Sequence, residues 1–247
     1  MNNIYSNLSE IYSMMYQTFI NYDEEFEYYS NFLKKYKASS LLELGCGTGD
    51  LAMRFIANGF NYIGLDVSKE MLELAKSKNS NTDFIQGDMR DFQLAKSKQA
   101  CIISGRSTSY LISDKDVMDC FISINKNIQS GGILCFDCID ASKFLPSINP
   151  DKKIVHTAEF GDRKFMRESY WSVNADQKQT VKWDSVYYEM GNNNELKEIG
   201  EDNSVVRIFF KEEIYLFLER CNFKVMLMEQ RPSYAFDTFV IVAQKIS

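Results

Sequence analysis

Residues 41–50 read Leu41-Leu42-Glu43-Leu44-Gly45-Cys46-Gly47-Thr48-Gly49-Asp50. A short apolar run closed by glycines is the pattern of a buried strand. The alternating glycines let the chain turn sharply and let its backbone approach a ligand with no Cβ in the way. Leu51–Ala57 continues as a helix stopped at Asn58-Gly59. The N–H groups of its first turn lack intrahelical partners and suit a polar or anionic group. Strand, glycine turn and helix together fit any nucleotide-like ligand, so the flanking sequence must narrow the choice.

Outward from this turn, strand and helix patterns alternate. Ile4–Ile20 and Tyr22–Tyr36 read as two N-terminal helices. Tyr62–Asp66, Thr82–Gln86, Ala100–Ser104 and Ile133–Cys138 read as strands, with helices after Ser68 and over Asp114–Ile128. This alternation predicts an α/β fold with a Rossmann-like, doubly wound, mostly parallel sheet. The rhythm changes near Ser142. Lys153–Phe160, Lys164–Val173, Thr180–Met190 and a segment ending Val205–Phe210 have period two, with turns at Gly161-Asp162, Asn174–Asp176 and Gly191–Asn194. They read as antiparallel strands joined by hairpins. A helix over Lys211–Cys221 and strands Phe223–Glu229 and Thr238–Ala243 then return to the sheet. The expected organisation is 1–141 for the N-terminal helices and core, 142–210 for an inserted antiparallel β lobe, and 211–247 for the return.

The 247 residues are 45% hydrophobic and 25% charged, with a formal net charge of −6, which leaves ample material for a core and rules out disorder. No apolar run is long enough to span a bilayer, and MNNIYSNLSE lacks the features of a signal peptide. The negative charge gives no global attraction to nucleic acid or an anionic membrane. A cytoplasmic protein with reduced cysteines is expected. Cys135-x-x-Cys138 lies in a strand, where residues three apart point to opposite faces. With only His156 in addition, no metal site is expected.

The remaining chemistry falls at strand ends. Asp66 closes the second strand, where an ionised carboxylate can accept both hydroxyls of a ribose. Gln86-Gly87-Asp88-Met89 closes the third, where Asp88 can accept from an adenine amine. Arg106, Ser107 and Tyr110 follow the strand beside the glycine turn and read as pocket-lining. Tyr12 and Tyr16 are four apart and share a helix face, with core anchoring and active-site contact both open. Arg163, Arg167, Tyr170 and Trp171 have the chemistry to grip a phosphate and stack a base, with a solvated strand face as the alternative. His156 reads as a surface residue.

The Glu43-x-Gly45-x-Gly47-x-Gly49 turn, Asp66 and Gly87-Asp88-Met89 resemble the class I S-adenosylmethionine-dependent methyltransferases. Tyr5–Tyr16, Gly87–Phe92, Ser107–Leu111 and the β insertion look most like the N,N-dimethyltransferases of nucleotide-linked amino sugars. The resemblance implies S-adenosylmethionine as donor, with Glu43 steadying the loop and Cys46, Gly47 and Gly49 within it. It puts Gly45 and the Ser104 carbonyl at the methionyl amine, Asp66 and Val67 at the ribose, and Asp88 and the Met89 N–H at the adenine. It implies that Tyr12 belongs to a helix over the cofactor, that Tyr16 and Tyr110 lie at the reacting centre, and that Arg106, Ser107, Arg167 and Trp171 meet the acceptor. Arg106 stands where the resembling enzymes usually carry a small residue, and no histidine is available on the core sheet.

The expected activity is methyl transfer to a small molecule, first the amine of a nucleotide-linked amino sugar, by a monomer or homodimer. An oxygen or carbon acceptor is the alternative within that class. An NAD-dependent oxidoreductase and a non-catalytic nucleotide-binding partner are the alternatives outside it.

Overall fold

Strand β1 (Ser40–Leu44) buries Leu41, Leu42 and Leu44 completely, which fixes it inside a sheet covered on both faces. The computed structural model describes residues 3–191, 193, 195–233 and 236–246. Helices α1 (Ser9–Phe19) and α2 (Tyr22–Lys35) precede β1. Then come α3 (Asp50–Ala57), β2 (Asn61–Asp66), α4 (Lys69–Lys78), β3 (Asp83–Gln86), β4 (Lys98–Ile103), α5 (Asp114–Asn127) and β5 (Ile128–Ile139). A short helix α6 (Ala141–Phe144) leads into β6 (Ile154–Phe160), β7 (Arg163–Val173), β8 (Thr180–Met190) and β9 (Leu196–Arg207). The chain finishes with α7 (Lys211–Arg220), β10 (Phe223–Pro232) and β11 (Asp237–Lys245).

Seven strands form one sheet in the order β10-β11-β5-β4-β1-β2-β3. β1 to β5 run parallel, and β11 lies antiparallel between β5 and β10. One face packs on α5 and α7, the other on α2 and α3. Cys135 and Cys138 sit in these two different cores, as their spacing on a strand requires. All six cysteines are free and buried. Side chains set the helix starts: Asn21 caps α2, Ser68 caps α4, and Ser113 with Asp116 closes a capping box on α5.

β6, β7, β8 and β9 form a separate four-stranded antiparallel sheet. Phe165, Trp171, Val181 and Trp183 on its inner face pack with Ile4, Leu8, Met15 and Tyr16. The N-terminal stretch 3–19, grouped by sequence with the core, therefore packs its apolar side chains on this second sheet. It is not one helix. A 3₁₀ turn at Asn3–Tyr5 precedes α1, because Ile4 N–H donates to Asp202 on β9 and the Tyr5 carbonyl accepts from Ser68 Oγ at the start of α4. β9 starts at Leu196, directly after the expected turn. Pairing with β8 from Leu196 onward recruits a polar stretch with no apolar alternation of its own. Asn192 and Asn194 of the expected turn lie outside the described residues. Among the described residues, no helix is long and apolar enough to cross a membrane.

Candidate active site

After Leu44 the backbone passes through Gly45 and Gly47 at φ of +70° and +52°, the region side chains disfavour. At Gly45 the space is closed as well: a Cβ there would lie 2.7 Å from Ser107 Oγ. Gly47 faces the opposite way, with no atom within 4 Å of a Cβ position, so its backbone borders an open cleft. Gly49 does not line that cleft. It ends the turn against Ala75 and Phe84, where close helix packing rather than ligand contact excludes a side chain.

Asp66 Oδ2 accepts from Gly47 N–H at 2.8 Å, and Oδ1 accepts from Ser68 N–H at 2.9 Å. Burial raises its carboxyl pKa, and these N–H groups oppose the rise. Glu43, expected to steady the loop, instead accepts from the Tyr62 hydroxyl and from Ser104 Oγ, tying β1 to β2 and to the end of β4. The side chain that accepts from the loop backbone is Asp66. Burial pushes the Glu43 carboxyl up to about 7 against the effect of those two hydroxyls.

The cleft has a volume of about 720 Å³. Of the residues expected at the site, Tyr12, Glu43, Gly45, Cys46, Gly47, Asp66, Val67, Asp88, Met89, Ser104, Arg106, Ser107 and Tyr110 line it. Besides Glu43 and Asp66, Asp88 and Ser104 are also engaged. Both Asp88 oxygens accept from Arg90, whose guanidinium holds that carboxyl below its usual range. The Ser104 carbonyl accepts from Ser107 N–H and Ser107 Oγ. Arg106 sits at φ +63°, its N–H donating to buried Asp137 at 2.7 Å. Burial pushes the Asp137 carboxyl up to about 6.

Tyr16, Arg167 and Trp171 line a second cavity of about 410 Å³ against the antiparallel sheet. Tyr5, Tyr12, Gly105, Arg106 and Tyr110 line both spaces and so form the wall between them. Tyr12 stacks on Tyr16 with ring centroids 3.9 Å apart, and the Tyr5 and Tyr110 hydroxyls are hydrogen-bonded. The expected phosphate-and-base group splits apart. Period two turns Arg167, Ser169 and Trp171 inward, while Tyr170 is exposed and Arg163, at the strand end, pairs with Glu189. Trp171 stacks on Trp183 at 5.2 Å and 1°.

His156 is not a plain surface residue. It is half-buried, lines the second cavity, and has Nδ1 3.2 Å from Arg167 Nη2. Sequence reading also passed over Asp137 and Trp183. Asp137 carried a signal, a carboxylate inside the apolar run of β5, whereas His156 and Trp183 become site residues only through sheet pairing.

A methyltransferase-domain model matches residues 41–132. A Bacillus subtilis (strain 168) protein named as the methyltransferase YqeM is 29% identical over 94% of this chain and 98% of its own length. The dTDP-3-amino-3,4,6-trideoxy-alpha-D-glucopyranose N,N-dimethyltransferase of Streptomyces venezuelae is 32% identical over 40% of this chain and 41% of its own. Among solved structures, an S-adenosylmethionine-dependent methyltransferase from Clostridium acetobutylicum ATCC 824 superposes with a TM-score of 0.77 at 15% identity, covering 98% of both chains.

The chain carries a methyltransferase domain on the fold of the S-adenosylmethionine-dependent methyltransferases.

In this methyltransferase the two cavities differ in charge. Seven carboxylates line the first, from Glu24 and Glu25 on α2 to Asp137 on β5, against Arg90, Arg106 and Arg231. Arg90 is paired with Asp88, and Arg231 with Glu25. The second is lined by Arg106, Lys143, Lys152, Arg167 and His156 against the single carboxylate of Asp237. Among the described residues no group of three or more His, Cys, Asp or Glu is arranged to hold a metal ion.

Proposed function

We propose that the methyltransferase holds its methyl donor in the first cavity and a small anionic acceptor in the second, and that this acceptor is the amine of a nucleotide-linked amino sugar. One observation carries the reading: an acid-lined cleft and a base-lined cavity share a wall of tyrosines. The donor supplies a methyl carbon activated by a sulfonium. The cleft's carboxylates favour that cation and repel the pyrophosphate of a dinucleotide, which argues against NAD. The open backbone at Gly47 and the acid at Asp66 fit a nucleoside, with Val67 beside it. Arg90 already covers Asp88, so adenine reading there falls to the Met89 N–H or to a shared contact.

Displacement at a methyl carbon requires orientation and exclusion of water more than strong base chemistry. Tyr5, Tyr12 and Tyr110 occupy the place where a methyl group crosses. Their ring faces can stabilise a nearby cation by about 0.5–2 kcal/mol. Four basic side chains around the second cavity favour a diphosphate, and Trp171 and Trp183 offer flat apolar surface to a base or sugar. The S. venezuelae relative, named for an amino-sugar substrate, supports the same acceptor class. The buried free thiols support a reducing cytoplasm.

The test uses the two tryptophans, both of which line the second cavity. Thymidine diphosphate is expected to change their fluorescence at micromolar concentration, and labelled S-adenosylmethionine is expected to methylate one or more TDP- or UDP-amino sugars. Methylation only of hydroxyl acceptors would favour the O-methyl alternative. No response to the diphosphate and no turnover on any amino sugar would reject the reading.

A further inference from the structure

His156 on β6, Arg167 on β7 and Tyr187 on β8 form a cross-strand row in direct register on the inner face of the antiparallel sheet. Arg167 is only 3% exposed, beneath the second cavity. Its Nη1 donates to the Tyr16 hydroxyl at 3.0 Å, and its Nη2 lies 3.2 Å from His156 Nδ1. Its guanidinium also lies over the Trp183 ring, 5.1 Å from the centroid. A guanidinium has N–H donors and no acceptor, so both polar contacts run one way. The Tyr16 oxygen accepts, and His156 Nδ1 accepts and carries no proton. The neutral imidazole then has its hydrogen on Nε2, and Tyr16 keeps its own hydrogen to donate.

We propose that Arg167 is a positioning residue that sets the hydrogen-bond polarity of the second cavity, holding His156 as the neutral Nε2–H tautomer and Tyr16 as a donor. The wall therefore offers hydrogens to an acceptor oxygen and contains no histidine base. Most charged groups around the imidazole are cations: Arg167 faces it from β7, Lys143 comes from α6 and Lys152 from the loop before β6, with the Tyr16 phenol on α1 and Tyr187 on β8. Asp237, the one carboxylate on the cavity wall, opposes them. Burial, then the Arg167 cation, hold its pKa below the ordinary histidine value.

The consequence for methyl transfer rests on the acceptor reading above. An amine must arrive already neutral: its lone pair forms the new N–C bond, the S–C electrons remain on sulfur as a thioether, and the ammonium product loses its proton to water. His156 takes no proton in this step.

His156 is the chain's only histidine, so its ring nitrogens give one unambiguous set of ¹⁵N NMR signals. The wild-type protein is expected to show a protonated Nε2, an unprotonated Nδ1 and titration below about 6.5, the unperturbed value. Arg167→Met removes the donors and the charge, and is expected to mix the tautomers and raise the titration midpoint by half a pH unit or more. Arg167→Lys keeps the charge but not the fork, so the midpoint stays low while the tautomers mix. Tyr16→Phe leaves Arg167 in place, so the wild-type tautomer persists.

A wild-type Nδ1–H tautomer overturns the proposal, as does an Arg167→Met protein with unchanged His156 signals. Should Arg167→Met fail to fold, the wild-type and Tyr16→Phe spectra still decide it. None of these signals depends on turnover, so a failure of the amino-sugar reading is separately visible.

Discussion

Asp66 Oδ2 accepts the Gly47 N–H at 2.8 Å, joining the end of β2 to the turn after β1. The carboxylate proposed to meet a nucleoside thus also closes the loop that faces it, and under that proposal loop shape and ligand affinity share one side chain. Asp66→Ala is expected to weaken adenosylhomocysteine binding by about 1–3 kcal/mol, the range for losing hydrogen bonds to a charged group. Isothermal titration checks it, and wild-type affinity in the variant would remove Asp66 from the site.

Gly45→Ala adds two penalties, a side chain at φ +70° and a Cβ 2.7 Å from Ser107 Oγ. The conformational penalty alone is about 1–2 kcal/mol. Thermal unfolding is expected at lower temperature than in the wild type, with adenosylhomocysteine affinity reduced in the folded fraction. A stable variant with full affinity would show that Ser107 can move away at little cost.

Tyr16→Phe removes one hydroxyl from the second cavity and leaves the ring stacked on Tyr12. Turnover on an accepted amine is expected to fall by about tenfold, equivalent to 1.4 kcal/mol of barrier. Adenosylhomocysteine affinity is expected to stay within about twofold, since Tyr16 does not line the first cavity. Steady-state rates and a binding isotherm separate the two, and an unaltered rate would leave Tyr16 a purely structural anchor.

Glu43 gives a pH signature of defined sign. Its carboxyl is held at about 7 when folded, against an ordinary value of 4.5, so the folded state binds the proton more tightly than the unfolded state. A raised carboxylate pKa leaves stability intact below pH 4.5 and erodes it as pH climbs to 7, after which the loss is constant. Relative to Glu43→Gln, the wild type is expected to lose about 3 kcal/mol across this window. Denaturant unfolding at several pH values reads the difference between the two proteins. Parallel curves would mean that Tyr62 and Ser104 hold Glu43 ionised throughout.

The sequence by itself determined the α/β sheet and which strand ends border the first cleft. The glycine turn, Asp66 and Met89 all lie at strand ends, and a strand end is a local property readable from an apolar run and its punctuation. Helix starts were equally local, because Asn21, Ser68 and Ser113 each bond to N–H groups only two or three residues away.

Tertiary structure alone decided the second cavity. Strand register sets His156 beside Arg167 and Trp171 beside Trp183, although the members of each pair are distant in sequence, and no local pattern encodes which strand pairs with which. The break before α1 and the polar first half of β9 have the same origin: Asp202, Ser68 and β8 supply distant hydrogen-bond partners to backbone whose own periodicity is ambiguous. Partners within the first cleft were also decided there, since Asp66 accepts from the loop, Glu43 from Tyr62 and Ser104, and Asp88 from Arg90. A side chain's chemistry is written in its type, but the group that satisfies it is chosen only when the chain folds.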